Sequence, residues 1–307
     1  VGAQPNAWLA HDLFSVSFPT ESDGWVCGRW GTILHTSDGG ATWTPQDSGT
    51  DYTLSSIFFI DSQKGWAIGD GGTIISTQNA GDSWVRLECP VDSFLMGLHF
   101  TDARTGWIVT EWTTILHTKD GGITWETQHT GEDFILKSIS FCNAQTGWAV
   151  GEYGYIYHTK DGGRTWIQQA GEFGFSEDGS EIIGGNFLFH VVAIDPMTAW
   201  VAGIDGYVAR TFDSGETWQR ISGDFPKTQL FTIESDRNGS FLIGGKATML
   251  ASSNGGTSFS TCRMKPEITY GWIYGICRRG QKGYVAVGRK GWIYLSDPEG
   301  LTWHRVD

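Results

Sequence analysis

Gly24-Trp25-Val26-Cys27-Gly28, then Gly31-Thr32-Ile33, then Thr36-Ser37-Asp38-Gly39-Gly40-Ala41-Thr42-Trp43 is the stretch on which the fold turns, because the chain repeats it. It returns as Gly65-Trp66 to Trp84, Gly106-Trp107 to Trp125 and Gly147-Trp148 to Trp166, in steps of 41 residues. Looser copies run from Ala199-Trp200 to Trp218, from Ser240-Phe241 to Phe259 and from Gly283-Tyr284 to Trp303, which makes seven. The step from the fourth copy to the fifth is 52 residues, so an insertion lies at about Gly171 to His190.

Upstream of the copies, apolar residues alternate, as in Ser15-Val16-Ser17-Phe18, Ser56-Ile57-Phe58-Phe59 and Ser138-Ile139-Ser140-Phe141. Period two is the mark of a half-buried strand, and a helical period is absent. Each unit reads as four strands: A (Ser-Ile-x-Phe), B (Gly-Trp-x-x-Gly), C (Gly-x-Ile-x-x-Thr) and D (from the second Trp). Four strands in about 41 residues is the size of one propeller blade. The chain is therefore expected to be all-β, a single seven-bladed β-propeller over residues 1–307. The blades fall at about 12–49, 50–90, 91–131, 132–171, 186–223, 224–265 and 266–307. Asn6 to His11 is expected to add an edge strand that helps close the ring. Eleven of the 16 tryptophans sit at repeat positions, where a large ring fills the wedge between twisted blades and its N–H reaches a loop carbonyl.

Composition excludes other classes. The chain has 307 residues, 43 of them glycine, and a formal net charge of −13. That acidity argues against a nucleic-acid partner, since phosphate neutralisation needs an excess of Lys and Arg. No apolar run approaches a membrane span. Val1 opens the chain without a charged-then-apolar leader, so an exported protein would already have lost its signal. The five cysteines form no Cys-x-x-Cys pair, and no metal site is expected. Cys262 and Cys277 are the one pair worth testing for a disulfide. His35, His117 and His158 share a repeat position but belong to different blades, so they form no ligand set.

Between strands C and D lies [Ser/Thr]-x-[Asp/Asn]-x-Gly-x-[Ser/Thr]-[Trp/Phe], with Asp38, Asn79, Asp120, Asp161, Asp213 and Asn254 at its third position. The seventh copy, Ser296 to Trp303, has Pro298 there and reads as having lost the acid. An Asp or Asn accepts hydrogen bonds from its own turn, and Gly supplies the left-handed position. These residues are structural struts rather than catalysts. The motif resembles the bacterial neuraminidase repeat, or Asp box, found in sialidases, other glycosidases, sortilin-like receptors and assembly factors. With Gly-Trp-x-x-Gly before each box, best seen at Gly65 to Ile74 and Gly147 to Ile156, residues 14–307 resemble the photosystem II stability/assembly factor family. That resemblance implies an extracytoplasmic, non-enzymatic propeller, periplasmic or secreted, that binds an assembling membrane-protein complex. Photosynthetic members carry an arginine-rich segment after the fifth box. The matching Gln219 to Leu230 holds only Arg220 and Lys227, so a non-photosynthetic bacterial member is expected.

Function belongs to the loops of such a scaffold. The B–C tips are Arg29-Trp30, Asp70-Gly71, Glu111-Trp112, Glu152-Tyr153, Ile204-Asp205, Gly245-Lys246 and Arg289-Lys290. Blades two to five are acidic there, and blades six, seven and one are basic. A two-signed docking face follows, with Arg29, Trp30, Glu111, Trp112, Glu152, Tyr153, Asp205, Lys246, Arg289 and Lys290 as contact residues for a protein partner. Arg278, Arg279 and Lys282 fall on the opposite face. The insertion, with Glu172, Phe173, Phe175, Glu177, Asp178 and Glu181, reads as a lid or partner hook. No cofactor, no catalytic residue and a monomer are expected. The alternative is a glycoside hydrolase or glycan-binding propeller using Glu111, Glu152, Asp205 and the acids of the insertion, because glycosidases need two neighbouring carboxylates. A sialidase's arginine triad and Phe/Tyr-Arg-Ile-Pro signature are not found.

Overall fold

Strand A of every blade opens on a buried aliphatic side chain (Leu13, Leu54, Leu95, Leu136, Leu188, Leu230 or Ile273), and strand B is buried along its whole length. The computed structural model describes residues 11–131, 133–175, 182–223 and 225–306. The A strands are Leu13–Ser17, Leu54–Phe59, Leu95–Phe100, Leu136–Phe141, Leu188–Ala193, Leu230–Ser235 and Ile273–Arg278. Each pairs antiparallel with its own strand B, then C, then D, in seven separate sheets. Neighbouring A strands pack side by side around a central channel, and the last packs on the first. The protein is a seven-bladed β-propeller. A parallel strand, Arg263–Lys265, adds to the outer edge of blade seven, and Phe173–Phe175 pairs with Ile182–Gly184 in a separate hairpin.

One interaction recurs between blades. The strand-B indole of one blade stacks on the phenyl ring that ends strand A of the next. Trp25 lies on Phe59 at 3.6 Å, Trp66 on Phe100 at 3.6 Å and Trp107 on Phe141 at 3.7 Å, all close to parallel. The phenyl ring then meets the Asp-box indole of its own blade edge-on, as Phe59 meets Trp84 and Phe100 meets Trp125. On the other side of the indole lies the strand-C histidine: His35 on Trp25, His117 on Trp107, His158 on Trp148. These histidines are stacking partners, and burial holds each below the usual imidazole range. The indole N–H crosses the same seam to an Asp-box carbonyl, Trp25 to Ala80 at 3.2 Å and Trp66 to Gly121 at 2.8 Å.

The first glycine of Gly-Trp-x-x-Gly follows from this stack. It lies opposite the phenylalanine in the strand register, and a Cβ at Gly65, Gly106 or Gly147 would come within 2.6 Å of that ring. Blade five loses both members together, pairing Ala193 with Ala199. Blade six exchanges them. Ser235 stands in the phenylalanine's place, and Phe241 occupies the glycine position and supplies the ring against Trp200, at 4.3 Å. The pairing corrects the alignment read from sequence by one residue: Phe241 and Tyr284 occupy the glycine position, and Leu242 and Val285 the indole position.

The Asp boxes are self-contained turns. Thr42 donates its N–H to Asp38 Oδ1 at 2.9 Å and its hydroxyl to Oδ2 at 2.6 Å, and Thr36 donates to Oδ1 at 2.8 Å. Asp120 and Asp213 repeat the set, and Asn79, Asp161 and Asn254 hold the same turn. The seventh box has not lost its acid. Asp297, one residue early, accepts from Leu301 N at 2.8 Å and Thr302 N at 2.9 Å, so the turn keeps its carboxylate beside Pro298.

The ring closes through the A–B loops and tips. Arg279 donates to Gly39 O, Gln281 N to Glu21 at 2.8 Å and Lys290 N to Asp12 at 2.9 Å. Residues 6–10 of the expected closing strand lie outside the described residues, while His11 contacts the Thr32 hydroxyl at 3.1 Å. All five thiols are free, so Cys262 and Cys277 are not bridged.

Two outcomes follow. Gly65→Phe should lower stability by about 1–3 kcal/mol through overpacking against Phe59, whereas Phe59→Ser/Gly65→Phe, which copies blade six, should recover most of it; urea unfolding midpoints measure both. The threonine hydroxyls hold Asp38, Asp120 and Asp213 down to about 2. Because these values are depressed in the folded state, their stabilisation is present above about pH 4 and is lost as pH falls toward about 2. Thermal melts across that window should show the loss, and Thr42→Val should shrink it.

Candidate binding face

The seven B–C tips surround the channel mouth at which the A strands begin. In each blade the first tip residue donates its N–H to the carbonyl just before strand A: Arg29 to Asp12, Asp70 to Thr53, Glu111 to Phe94, Glu152 to Ile135, Ile204 to Phe187, Lys246 to Gln229 and Arg289 to Trp272. That close approach explains the last glycine of Gly-Trp-x-x-Gly, since a Cβ at Gly69 would overlap Thr53 O.

The second tip residue is left-handed in every blade, and in blade six the tip is Lys246-Ala247, one residue beyond the Gly245-Lys246 read from sequence. Trp30 (φ 57°), Gly71 (58°), Trp112 (62°), Tyr153 (52°), Asp205 (56°), Ala247 (51°) and Lys290 (56°) share the conformation. Blade two uses the residue suited to it, glycine. The other six carry side chains at a cost of roughly 1–2 kcal/mol each. Packing does not return that cost at Trp30, which is 65% exposed, or at Trp112, 54% exposed.

The tips differ in what their side chains do. Glu152 turns inward and accepts from Ile135 N at 2.9 Å, and Asp70 accepts from Gly71 N. Glu111 faces Lys137 in the channel, whose ammonium burial disfavours and Glu111 partly restores. Tyr153 is the anchor of the insertion rather than a free contact. Its ring meets Phe173 at 4.7 Å, its carbonyl accepts from Gly185 N, and Gly184 lies close against it. Glu177, Asp178 and Glu181 lie outside the described residues. Phe175 is described only as part of the hairpin backbone. Asp205 is exposed.

Blades six, seven and one carry the cations. Arg29 lies over the Phe14 ring at 5.9 Å and pairs with Asp12 at 3.4 Å. Arg289 lies over Trp272 at 5.2 Å and Tyr270 at 5.4 Å. Lys246 bridges by its backbone to Trp272, and its side chain is exposed, as is that of Lys290. The basic sector is thus a basic and aromatic sector, whereas part of the acidic one is consumed by its own turns. Arg279 serves ring closure on the other face, as its position after strand A implied.

Sequence reading missed a third set. In all seven blades the register slips after the first residue of strand A, leaving the second unpaired: Phe14, Ser55, Met96, Lys137, Phe189, Phe231 and Tyr274. Such a bulge re-aims a side chain, here toward the channel. The signal was the residue following each strand's leading aliphatic.

Among the described residues no cluster of His, Cys, Asp and Glu is arranged to hold a metal. Burial raises the carboxyl of Glu234 to about 7, against the charges of Arg237 and Arg278, but it stands in strand A of blade six toward the Asp-box side. A cleft of about 300 Å³ between blades four and five is lined by Glu172, Asn186, Tyr207 and Trp218, with Glu172 its one acid among the described residues.

The fold and these turns define the class, an Asp-box propeller with a loop-built face. The family model of the photosynthesis system II assembly factor YCF48 matches residues 6–90, 85–171 and 181–307, and the chain belongs to that family. Among solved structures it is similar to YCF48 bound to a D1 peptide, with 18% identity, a TM-score of 0.74 and coverage of 94% of this chain and 93% of that one. YCF48 from Cyanidioschyzon merolae matches with 18% identity, a TM-score of 0.72 and coverage of 92% and 95%. A GH74 xyloglucanase from Xanthomonas campestris shares the fold at 12% identity and a TM-score of 0.75, covering 97% of this chain and 55% of its own. No curated protein matches the sequence.

Trp30→Gly and Lys290→Gly should leave the melting temperature unchanged or higher, by up to about 1 kcal/mol in stability, because each relieves a left-handed side chain. Tyr153→Gly should lower it and open the hairpin to protease cleavage.

Proposed function

We propose that the chain is a non-catalytic, protein-binding propeller of the assembly-factor kind. It acts outside the cytoplasm on a protein or membrane-protein complex and docks through the tips of blades six, seven and one. The observation that carries this reading is the strain at the tips. Trp30 and Lys290, like Trp112 on blade three, hold exposed side chains in a conformation that glycine occupies without cost in blade two, so stability is not what keeps them there, and the arginines beside aromatic rings single out the sector of blades seven and one. Arginine and aromatic side chains together are the chemistry of protein-interface anchors. Family membership supports the same reading, as does a relative that binds a peptide.

Chemical cross-linking in the native envelope, followed by mass spectrometry, should identify one partner with the wild-type chain. Arg289→Glu/Lys290→Glu should reduce its yield about tenfold or more, with an unchanged melting temperature. Equal yield from the charge-reversed chain removes this face as the docking site. Enrichment of glycan alone favours the carbohydrate reading.

A further inference from the structure

The bulge positions divide the channel mouth in two. On blades two, three and four they are Ser55, Met96 and Lys137. Ser55 is turned to Leu95 O, and Lys137 lies against the Met96 sulfur at 3.4 Å. On blades five, six, seven and one every bulge residue is aromatic, and the rings touch in sequence. Phe189 meets Phe231 at 5.1 Å, Phe231 meets Tyr274 at 5.3 Å and Tyr274 meets Phe14 at 5.2 Å. Trp272 closes on Tyr274 from the rim at 5.9 Å. These rings are half-buried, so the arc keeps an open face to the channel.

Above the arc stand Arg29 over Phe14 and Arg289 over Trp272, and the charges of both, with that of Asp12, reach the Tyr274 hydroxyl. Lys246 and Lys290 stand exposed beside them. Asp12 is committed to Arg29 and to Lys290 N. On a chain of net charge −13, this rim is a local excess of cations over an apolar arc. Deeper in, the wall changes. Glu234 lies three residues beyond Phe231, about 10 Å further along the strand, with His190 on the neighbouring blade accepting from Ile233 N.

We infer that the arc seats one large aromatic or apolar side chain from the middle of an extended acidic peptide segment. The anchor packs against Phe14, Phe231 and Tyr274, while the carboxylates on either side of it stay at the rim with Arg29, Arg289 and Lys290. The inference rests on the protein-binding reading and names the chemistry of the partner's segment. Opposite charges steer the segment to the rim, and the buried anchor fixes its register.

The test uses fluorescence anisotropy with the full chain and three fluorescein-labelled heptapeptides. One has a phenylalanine between three acidic residues on each side, one has alanine at the centre, and one has lysines in place of the acids. The first should bind saturably and weaken as salt rises. The alanine and lysine peptides should bind about tenfold more weakly or worse. Arg289→Gln should cost the first peptide a similar factor, whereas Lys119→Gln, an exposed cation on the Asp-box side, should not. Phe231→Ala removes packing as well as the anchor's contact, so Tyr274→Ser serves as a second arc variant; each, checked by its melting temperature, should weaken the first peptide by a similar factor. Equal binding of the phenylalanine and alanine peptides overturns the anchor. Absence of binding by all three overturns the site, and so does displacement of the first peptide by hexagalacturonate at lower concentration than by unlabelled peptide, which assigns the arc to acidic sugars. If charge reversal abolishes partner cross-linking while the heptapeptides do not bind, the docking face stands and the anchor chemistry falls. If the heptapeptides bind while cross-linking is unaffected, the seat stands and the wider reading falls.

Discussion

The contact between a strand-B indole and the ring of the following blade is the constraint from which the rest of this structure follows. Trp25 on Phe59, Trp66 on Phe100 and Trp107 on Phe141 place two flat surfaces within van der Waals distance across each seam. A stack that close leaves no room for a Cβ opposite the phenyl ring, hence Gly65, Gly106 and Gly147. It also aims the indole N–H at the neighbouring Asp box, so the box is held by its own carboxylate within the blade and by a donor from the blade before it. Aromatic pairs of this kind add roughly 0.5–1.5 kcal/mol beyond the area they bury. Blade six shows that the requirement is for a ring in that place, not for a particular strand to supply it.

Because the seams are satisfied by strands A, B and C and by the Asp boxes, two positions per blade stand outside the repeated stack of indole and phenyl rings. One is the left-handed tip of the B–C turn, and the other is the bulge that opens strand A. Both face the same mouth of the channel, and both change character between blades one and two; on the far side the bulge residue changes between blades four and five and the tip between five and six. Blades two to four present Ser55, Met96 and Lys137 under tips whose acids are largely absorbed by their own backbones. Blades five to one present an aromatic arc, and on six, seven and one cations stand above it. The asymmetry of a sevenfold scaffold is concentrated at this mouth.

Much of this was legible in the residues, and what was not has physical causes. Blades one to four repeat every 41 residues because each uses the same Gly-Trp-Phe solution, so fold, blade number and Asp boxes were readable. Blades six and seven slipped by one residue because the aromatic ring had moved from strand A to the glycine position, and an eye aligned on aromatics follows the ring. Asp297 was overlooked because the box shifts its acid by one position around Pro298. The bulge residues were hidden for a different reason. In Leu13-Phe14-Ser15-Val16 the bulge breaks the period of two, and Phe14 reads as one more strand residue. Tyr153 has the look of an exposed tip, but its covering hairpin begins twenty residues later.

The central claim is that packing governs the seams and the Asp-box side, while, on the function proposed above, the tips of blades six, seven and one meet the partner. A photo-reactive amino acid in place of Trp30 or Lys290, and in separate chains in place of Ile123 or Ile167 on the Asp-box and outer side, tests it directly under irradiation in the native envelope. The account predicts that adducts of one defined mass arise from positions 30 and 290 and not from 123 or 167. Adducts arising chiefly from 123 or 167 would contradict it.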